Sequence, residues 1–74
     1  MWIRTQSKDM IINANTFHLY FFDPSSVWII SADNISVGRF KTEKQAKKVM
    51  DTIHQHIEMH PNQVYQIPKD STII

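Results

Sequence analysis

The sequence predicts an α+β fold, an antiparallel meander of five or six strands with one amphipathic helix near Glu43 to Met59. Three observations carry this expectation. Apolar residues alternate with a period of two upstream of Thr42, a capping box at Thr42 opens a stretch with helical period, and the connections between the apolar runs are short.

The strand elements come first. β-branched and aromatic residues concentrate over Trp2 to Thr5, Met10 to Asn13, Thr16 to Phe22, Val27 to Ser31 and Ile35 to Phe40. Turn chemistry separates them at Ser7-Lys8-Asp9, Asp23-Pro24-Ser25 and Asp33-Asn34. Short links favour antiparallel neighbours over parallel crossovers, so these runs read as a meander, open or curled into a partial barrel, with the helix across one face.

In the motif Thr42-Glu43-Lys44-Gln45, the threonine hydroxyl can accept the Gln45 N–H while the glutamine side chain reaches back. Ala46, Val49, Met50, Ile53 and Ile57 then form one apolar stripe facing the core. Pro61 turns His60 away from helical angles and ends the helix near Met59. Gln63 to Ile67 can return as a further strand, Pro68 closes it, and 69–74 reads as a C-terminal tail to a single domain over 1–68.

A chain of 74 residues has room for one core. It has no cysteine, which excludes disulfides, thiolate metal sites and cysteine nucleophiles, and fits a reducing cytoplasm. The apolar runs are too short to span a bilayer and the start has no signal-peptide pattern, so the expectation is a cytoplasmic chain with no membrane partner. The net charge of +1 points to no partner class. The match of Asn34-Ile35-Ser36 to a glycosylation acceptor has no secretion signal to support it.

Alternation puts Phe17, Leu19 and Phe21 on one face of their strand and His18, Tyr20 and Phe22 on the other. The next strand opposes Trp28 and Ile30 to Val27 and Ile29, so both faces of the sheet are apolar. One helix covers one face. The second must be met by a sheet curling into a partial barrel, by a second copy of the chain, by another protein or by a ligand.

Catalytic chemistry finds little support. His56 and His60 have the spacing of a helical metal pair, but no glutamate follows His56 as a zinc protease motif requires, and no third ligand is identifiable. Dipole complementation at the helix end is the preferred role for both. His54 and Glu58 read as a solvated pair, Lys47 can pair with Asp51, and His18 reads as a partly buried packing residue. The Asp residues sit mostly in turns or the tail, and the lone Gly38 rules out the familiar phosphate-cradling loops. The expectation is a non-enzyme with no catalytic residue, no metal and no cofactor.

Charge is uneven between Arg39 and Lys48, where Arg39, Lys41, Lys44, Lys47 and Lys48 accompany Glu43 alone. A basic patch beside exposed aromatics is the footprint of a nucleic-acid or nucleotide binder, although a solvated helix face explains the same residues.

Four segments also resemble a family: Trp2-Ile3-Arg4-Thr5-Gln6, the strand from Ile11 towards Leu19, Gly38 to Ala46 with Val49, Ile53 and Ile57, and Tyr65-Gln66-Ile67-Pro68. Together they resemble small proteins of unassigned function from phages and mobile elements of Gram-positive bacteria, which begin Trp-Ile-Arg. Thr5 and Ile67 stand where Ser and Met are commoner, and no catalytic residue carries over. The resemblance implies a protein that binds and blocks a host or defence protein, or sequesters a signalling ligand.

The leading expectation is thus a protein-binding module, homodimeric, with Tyr20, Phe22 and Trp28 as interface anchors and Arg39, Lys44 and Lys48 as an electrostatic rim. Nucleic-acid or nucleotide binding by the same residues is the second expectation, and a structural homo-oligomer the third.

Overall fold

The computed structural model describes residues 1–70 and contains six strands and one helix. The strands are β1 (Trp2–Arg4), β2 (Ile11–Asn13), β3 (Phe17–Phe22), β4 (Val27–Ala32), β5 (Ile35–Phe40) and β6 (Tyr65–Gln66), with helix α1 (Glu43–Met59) between the last two. The α+β class and the helix bounds are as expected. The single meander is not.

The strands divide into two open three-stranded sheets, ordered β2-β1-β6 and β3-β4-β5, and neither closes into a barrel. Only the second sheet is an antiparallel meander throughout; β6 returns parallel to β1, pairing Ile3 with Tyr65 and Arg4 with Gln66. The division falls at residues 14–16, between β2 and β3. There the Asp33 carboxylate accepts the backbone N–H groups of Asn15 and Thr16, at 3.1 and 2.9 Å for its Oδ1. These contacts fix the chain as it passes from one sheet to the other.

The turn between β4 and β5 is a two-residue hairpin loop in which Asp33 (φ 49°) and Asn34 (φ 69°) both take left-handed angles. Primed turns require such angles, and Asp and Asn tolerate them better than most residues. The link from β3 to β4 is one 3-10 turn over Asp23–Ser25, which Ser26 leaves at φ 52°.

Helix α1 begins as the capping box dictates, with Thr42 Oγ1 accepting the Gln45 N–H at 3.2 Å. Its stripe buries Ala46, Val49 and Ile53, while Met50 is half-buried and Ile57, expected in the core, is exposed. Ile57 lies a turn beyond the last buried position, in the last turn of the helix. Glu58 receives His54 at 3.1 Å as expected; Lys47 pairs with Glu43 at 3.7 Å rather than with Asp51.

Ile3 and Ala14 from the first sheet and its exit, Ile30, Ala32, Val37 and Phe40 from the second, the helix residues and Ile67 form one core. Burying each large aliphatic or aromatic member contributes about 1.5–3 kcal/mol relative to exposure. Gly38 is needed where Ile67 crosses β5, since a Cβ there would lie 2.8 Å from Ile67 Cγ2 and 3.1 Å from Phe40 Cε2.

The expected tail is anchored at its start. Asp70 is 4% exposed and its Oδ2 accepts the Lys41 N–H at 2.8 Å, so the packed body reaches past Pro68; residues 71–74 of that tail lie outside the described residues. Among the described residues no helix is long and apolar enough to cross a membrane.

Candidate interaction surface

Register decides which aromatics share a surface. β3 pairs with β4 so that Phe21 lies opposite Trp28, Tyr20 opposite Ile29 and Leu19 opposite Ile30. Directly paired residues point the same way, so Trp28, Phe21, Leu19, Phe17, Ile30 and Phe40 share one face. That face carries the core and receives the helix. His18, Tyr20, Phe22, Ile29 and Arg39 share the other, which the helix leaves open.

The six expected interface residues therefore do not form one patch. Tyr20, Phe22 and Arg39 are brought together; Trp28 is on the opposite face, half-buried against the core with its ring 5.2 Å from Phe21. Lys44 and Lys48 are exposed one turn apart on the helix and do not line the surface that holds the other three. His18, expected to be partly buried, is exposed on the open face.

The open face holds a groove of ≈ 520 Å³. Tyr20 and Phe22, 43% and 37% exposed, border it, with Ile29 buried on the central strand between them and Arg39. Thr5, Gln6 and Ser7, from the turn after β1, close another side. A second cavity of ≈ 430 Å³, lined by Gln6, Arg39, Lys69 and Asp70, adjoins it through two shared residues. Arg39 thus stands between an aromatic groove and a second recess beside Lys69 and Asp70.

Sequence reasoning missed the Thr5–Ser7 wall, because only tertiary structure brings it to β5. The Gln6 N–H donates to the Val37 carbonyl at 2.8 Å, and the Gln6 side chain continues the pairing along β5. The turn is ordered internally as well. Ser7 Oγ and Thr5 Oγ1 donate to Asp9 Oδ1 at 2.6 and 3.2 Å, and these two hydroxyls hold the Asp9 carboxyl below its usual range. The Arg4 guanidinium donates to the Lys8 carbonyl through Nε and Nη2, beside the left-handed Lys8.

At the far end of the helix, the His56 ring stands 5.8 Å from His60 and 5.1 Å from Tyr65, with Nε2 2.9 Å from the Gln63 carbonyl. Burial pushes the Tyr65 phenol above its ordinary value, partly offset by its hydrogen bond with Thr52. These contacts tie the helix end to the segment that leads into β6.

No protein-family model, curated protein or solved structure matches the chain.

Proposed function

We propose that this chain is a non-catalytic protein-binding module that docks a partner in the groove on the open face of the β3-β4-β5 sheet. The observation that supports this reading is the convergence of Tyr20, Phe22 and Ile29 beside Arg39 on a face that the helix does not cover. Aromatic rings with one arginine at the rim are the side chains that concentrate binding energy in protein interfaces. The complementary partner presents an apolar side chain with a carboxylate beside it, so that Arg39 meets an acceptor while the aromatics lose water. With the resemblance to phage-borne proteins, this reading becomes an inhibitor of a host or defence protein, acting in the cytoplasm by occupancy alone.

Capture from the natural host with matched variants tests the proposal. A protein retained by the wild-type chain and by Lys44→Glu, and lost with Tyr20→Asp and Phe22→Asp at unchanged circular dichroism, is the expected result. Retention by both groove variants would sink it.

A second reading is a nucleotide in the same groove. A cavity of ≈ 520 Å³ is of the size that small ligands occupy, and it sets an aromatic ring and an arginine side by side. An extended nucleic-acid strand is less favoured, because Lys44 and Lys48 do not line the groove with Arg39. Nucleotide binding predicts affinity that weakens as salt rises and vanishes with Arg39→Ala. No binding at low salt removes this reading.

A further inference from the structure

The two outer edges of the β3-β4-β5 sheet are treated differently. On β5, the Gln6 backbone and side chain take up the outward groups of Val37 and Arg39. On β3, no strand among the described residues pairs with the outer edge. This edge reads Phe17-His18-Leu19-Tyr20-Phe21-Phe22, with no Lys, Asp, Glu, Pro or Gly and no bulge in its pairing with β4. Edge strands are normally blunted by such features, because unpaired N–H and C=O groups template association.

The hydrogen-bond parity of β3 follows from one contact. The Asp33 N–H donates to the Thr16 carbonyl at 2.8 Å, and the two residues continue the register of Phe17 with Ala32. In an antiparallel ladder hydrogen-bonded pairs alternate, so His18, Tyr20 and Phe22 direct their backbone groups to β4. Phe17, Leu19 and Phe21 direct theirs outward.

We propose that a second copy of this chain pairs with that edge, β3 against β3 and antiparallel, about a two-fold axis at Leu19. A two-fold axis perpendicular to the sheet keeps equivalent faces on the same side, which requires residues of equal parity to stand opposite each other. With Leu19 facing Leu19, Phe17 of each copy faces Phe21 of the other. All three outward residues then fall in hydrogen-bonded pairs, whereas a shift by two residues in either direction leaves one of them beyond the matched set.

The side chains agree with this register. On the core face the Leu19 pair is flanked by Phe17–Phe21 pairs, which extend the Phe21–Trp28 contact. On the open face His18 meets Tyr20, and beyond the strands Asp23 comes opposite Asn15, so no like charges are opposed. The result is one sheet running β5-β4-β3-β3-β4-β5, whose remaining outer edges are those partly occupied by Gln6. The arrangement does not rest on the identity of any partner in the groove.

Sedimentation and NMR on the whole chain test it. The expected species has twice the 8.7 kDa chain mass. Amide exchange at Phe17, Leu19 and Phe21 should slow as concentration rises, and a mixed-label sample should give an interchain Hα–Hα contact between His18 and Tyr20. Phe21→Pro removes an outward N–H without touching the β4 ladder, so it should weaken dimerisation about tenfold or more while circular dichroism is retained. Phe21→Lys, which keeps the backbone donor and adds like charge at the edge, is the second variant and should also yield monomer. A wild-type chain that stays monomeric at millimolar concentration, or a dimer without concentration-dependent protection at these three residues, overturns the proposal. Loss of groove binding with dimerisation intact would instead refute the functional reading alone.

Discussion

The side-chain amide of Gln6 pairs with both backbone groups of Arg39: Oε1 accepts the Arg39 N–H at 2.9 Å and Nε2 donates to the Arg39 carbonyl at 3.1 Å. A planar amide has one donor side and one acceptor side, so it can occupy a strand edge as a peptide group would. Nε2 also donates to the Pro68 carbonyl at 3.0 Å, so one residue joins β5 to the segment after β6. Gln6→Ala should lower stability by about 1–2 kcal/mol, since water replaces part of what is lost at this partly exposed site. Gln6→Glu should be worse, because a carboxylate would face two carbonyl oxygens. Urea denaturation of the three proteins gives the order, and equal midpoints for Gln6→Ala and wild type would refute the role.

The contact of Gly38 with Ile67 leaves no room for a side chain. The nearest atom to a methyl at position 38 would be Cγ2 of a β-branched residue that is itself 1% exposed, so it has little freedom to move. Gly38→Ala should therefore cost about 1–3 kcal/mol through overpacking. Ile67→Ala opens a cavity and costs about 2–5 kcal/mol by itself. The double variant should lose less than the sum, because the small residue at 67 makes space for the methyl at 38. Strict additivity in a thermal or urea cycle would show that the steric account is wrong.

Asp33 combines a left-handed backbone with a carboxylate that holds the N–H groups of Asn15 and Thr16. Substitutions separate the two demands. Asp33→Asn keeps a side-chain acceptor and tolerates the angle, so it should cost under about 1 kcal/mol. Asp33→Ala loses the acceptor and strains the backbone, for about 2–3 kcal/mol in total. Asp33→Gly, which relaxes φ but leaves both N–H groups to solvent, should fall between them. The order Asn, Gly, Ala in chemical denaturation is the expected outcome.

Much of this architecture was legible because it is local. Thr42 and Gln45 start the helix where the motif places it, and Ala46, Val49 and Ile53 are buried at the expected spacing. The five N-terminal strand runs also appear in place, to within a residue at their ends. What the sequence did not reveal is long-range. The division into two sheets depends on Asp33 reaching residues 15 and 16, and the parallel return of β6 depends on Ile3 meeting Tyr65. The face taken by Trp28 was not legible for a related reason. Alternation separates Trp28 from Ile29, but only the register across the turn at 23–26 aligns Trp28 with Phe21 rather than with Tyr20, and a one-residue slip would exchange the faces. Gln6 gave no signal at all, because a glutamine beside a turn has no pattern that points to an edge 33 residues away.

Asp9 makes the turn after β1 sensitive to acid. The Ser7 hydroxyl, and then that of Thr5, stabilises the carboxylate and lowers its pKa from the ordinary 3.8. A group whose folded-state pKa is depressed contributes stability above its unfolded pKa and loses it as pH falls through the folded value. The turn should therefore persist at about pH 5 and loosen below pH 3.8, with the Asp9 carboxyl titrating under that value in a carbon-detected NMR series. Ser7→Ala should move the midpoint up towards 3.8 by more than Thr5→Val does. A midpoint unaffected by Ser7→Ala would place the cause elsewhere.

Trp28 and Tyr20 should respond oppositely to truncation, and this contrast tests the faces on which the functional reading depends. Trp28 packs against the core beside Phe21, so Trp28→Ala leaves a void at the core's border and should cost about 2–4 kcal/mol, below the full cost of a buried tryptophan because the ring is half-buried. Tyr20 projects from the open face with 43% of its surface exposed, so Tyr20→Ala should change stability by about 1 kcal/mol or less and leave the core intact. Equilibrium unfolding of both variants decides the matter. If Tyr20→Ala is as damaging as Trp28→Ala, the groove wall is part of the core and the open face cannot serve as a docking surface.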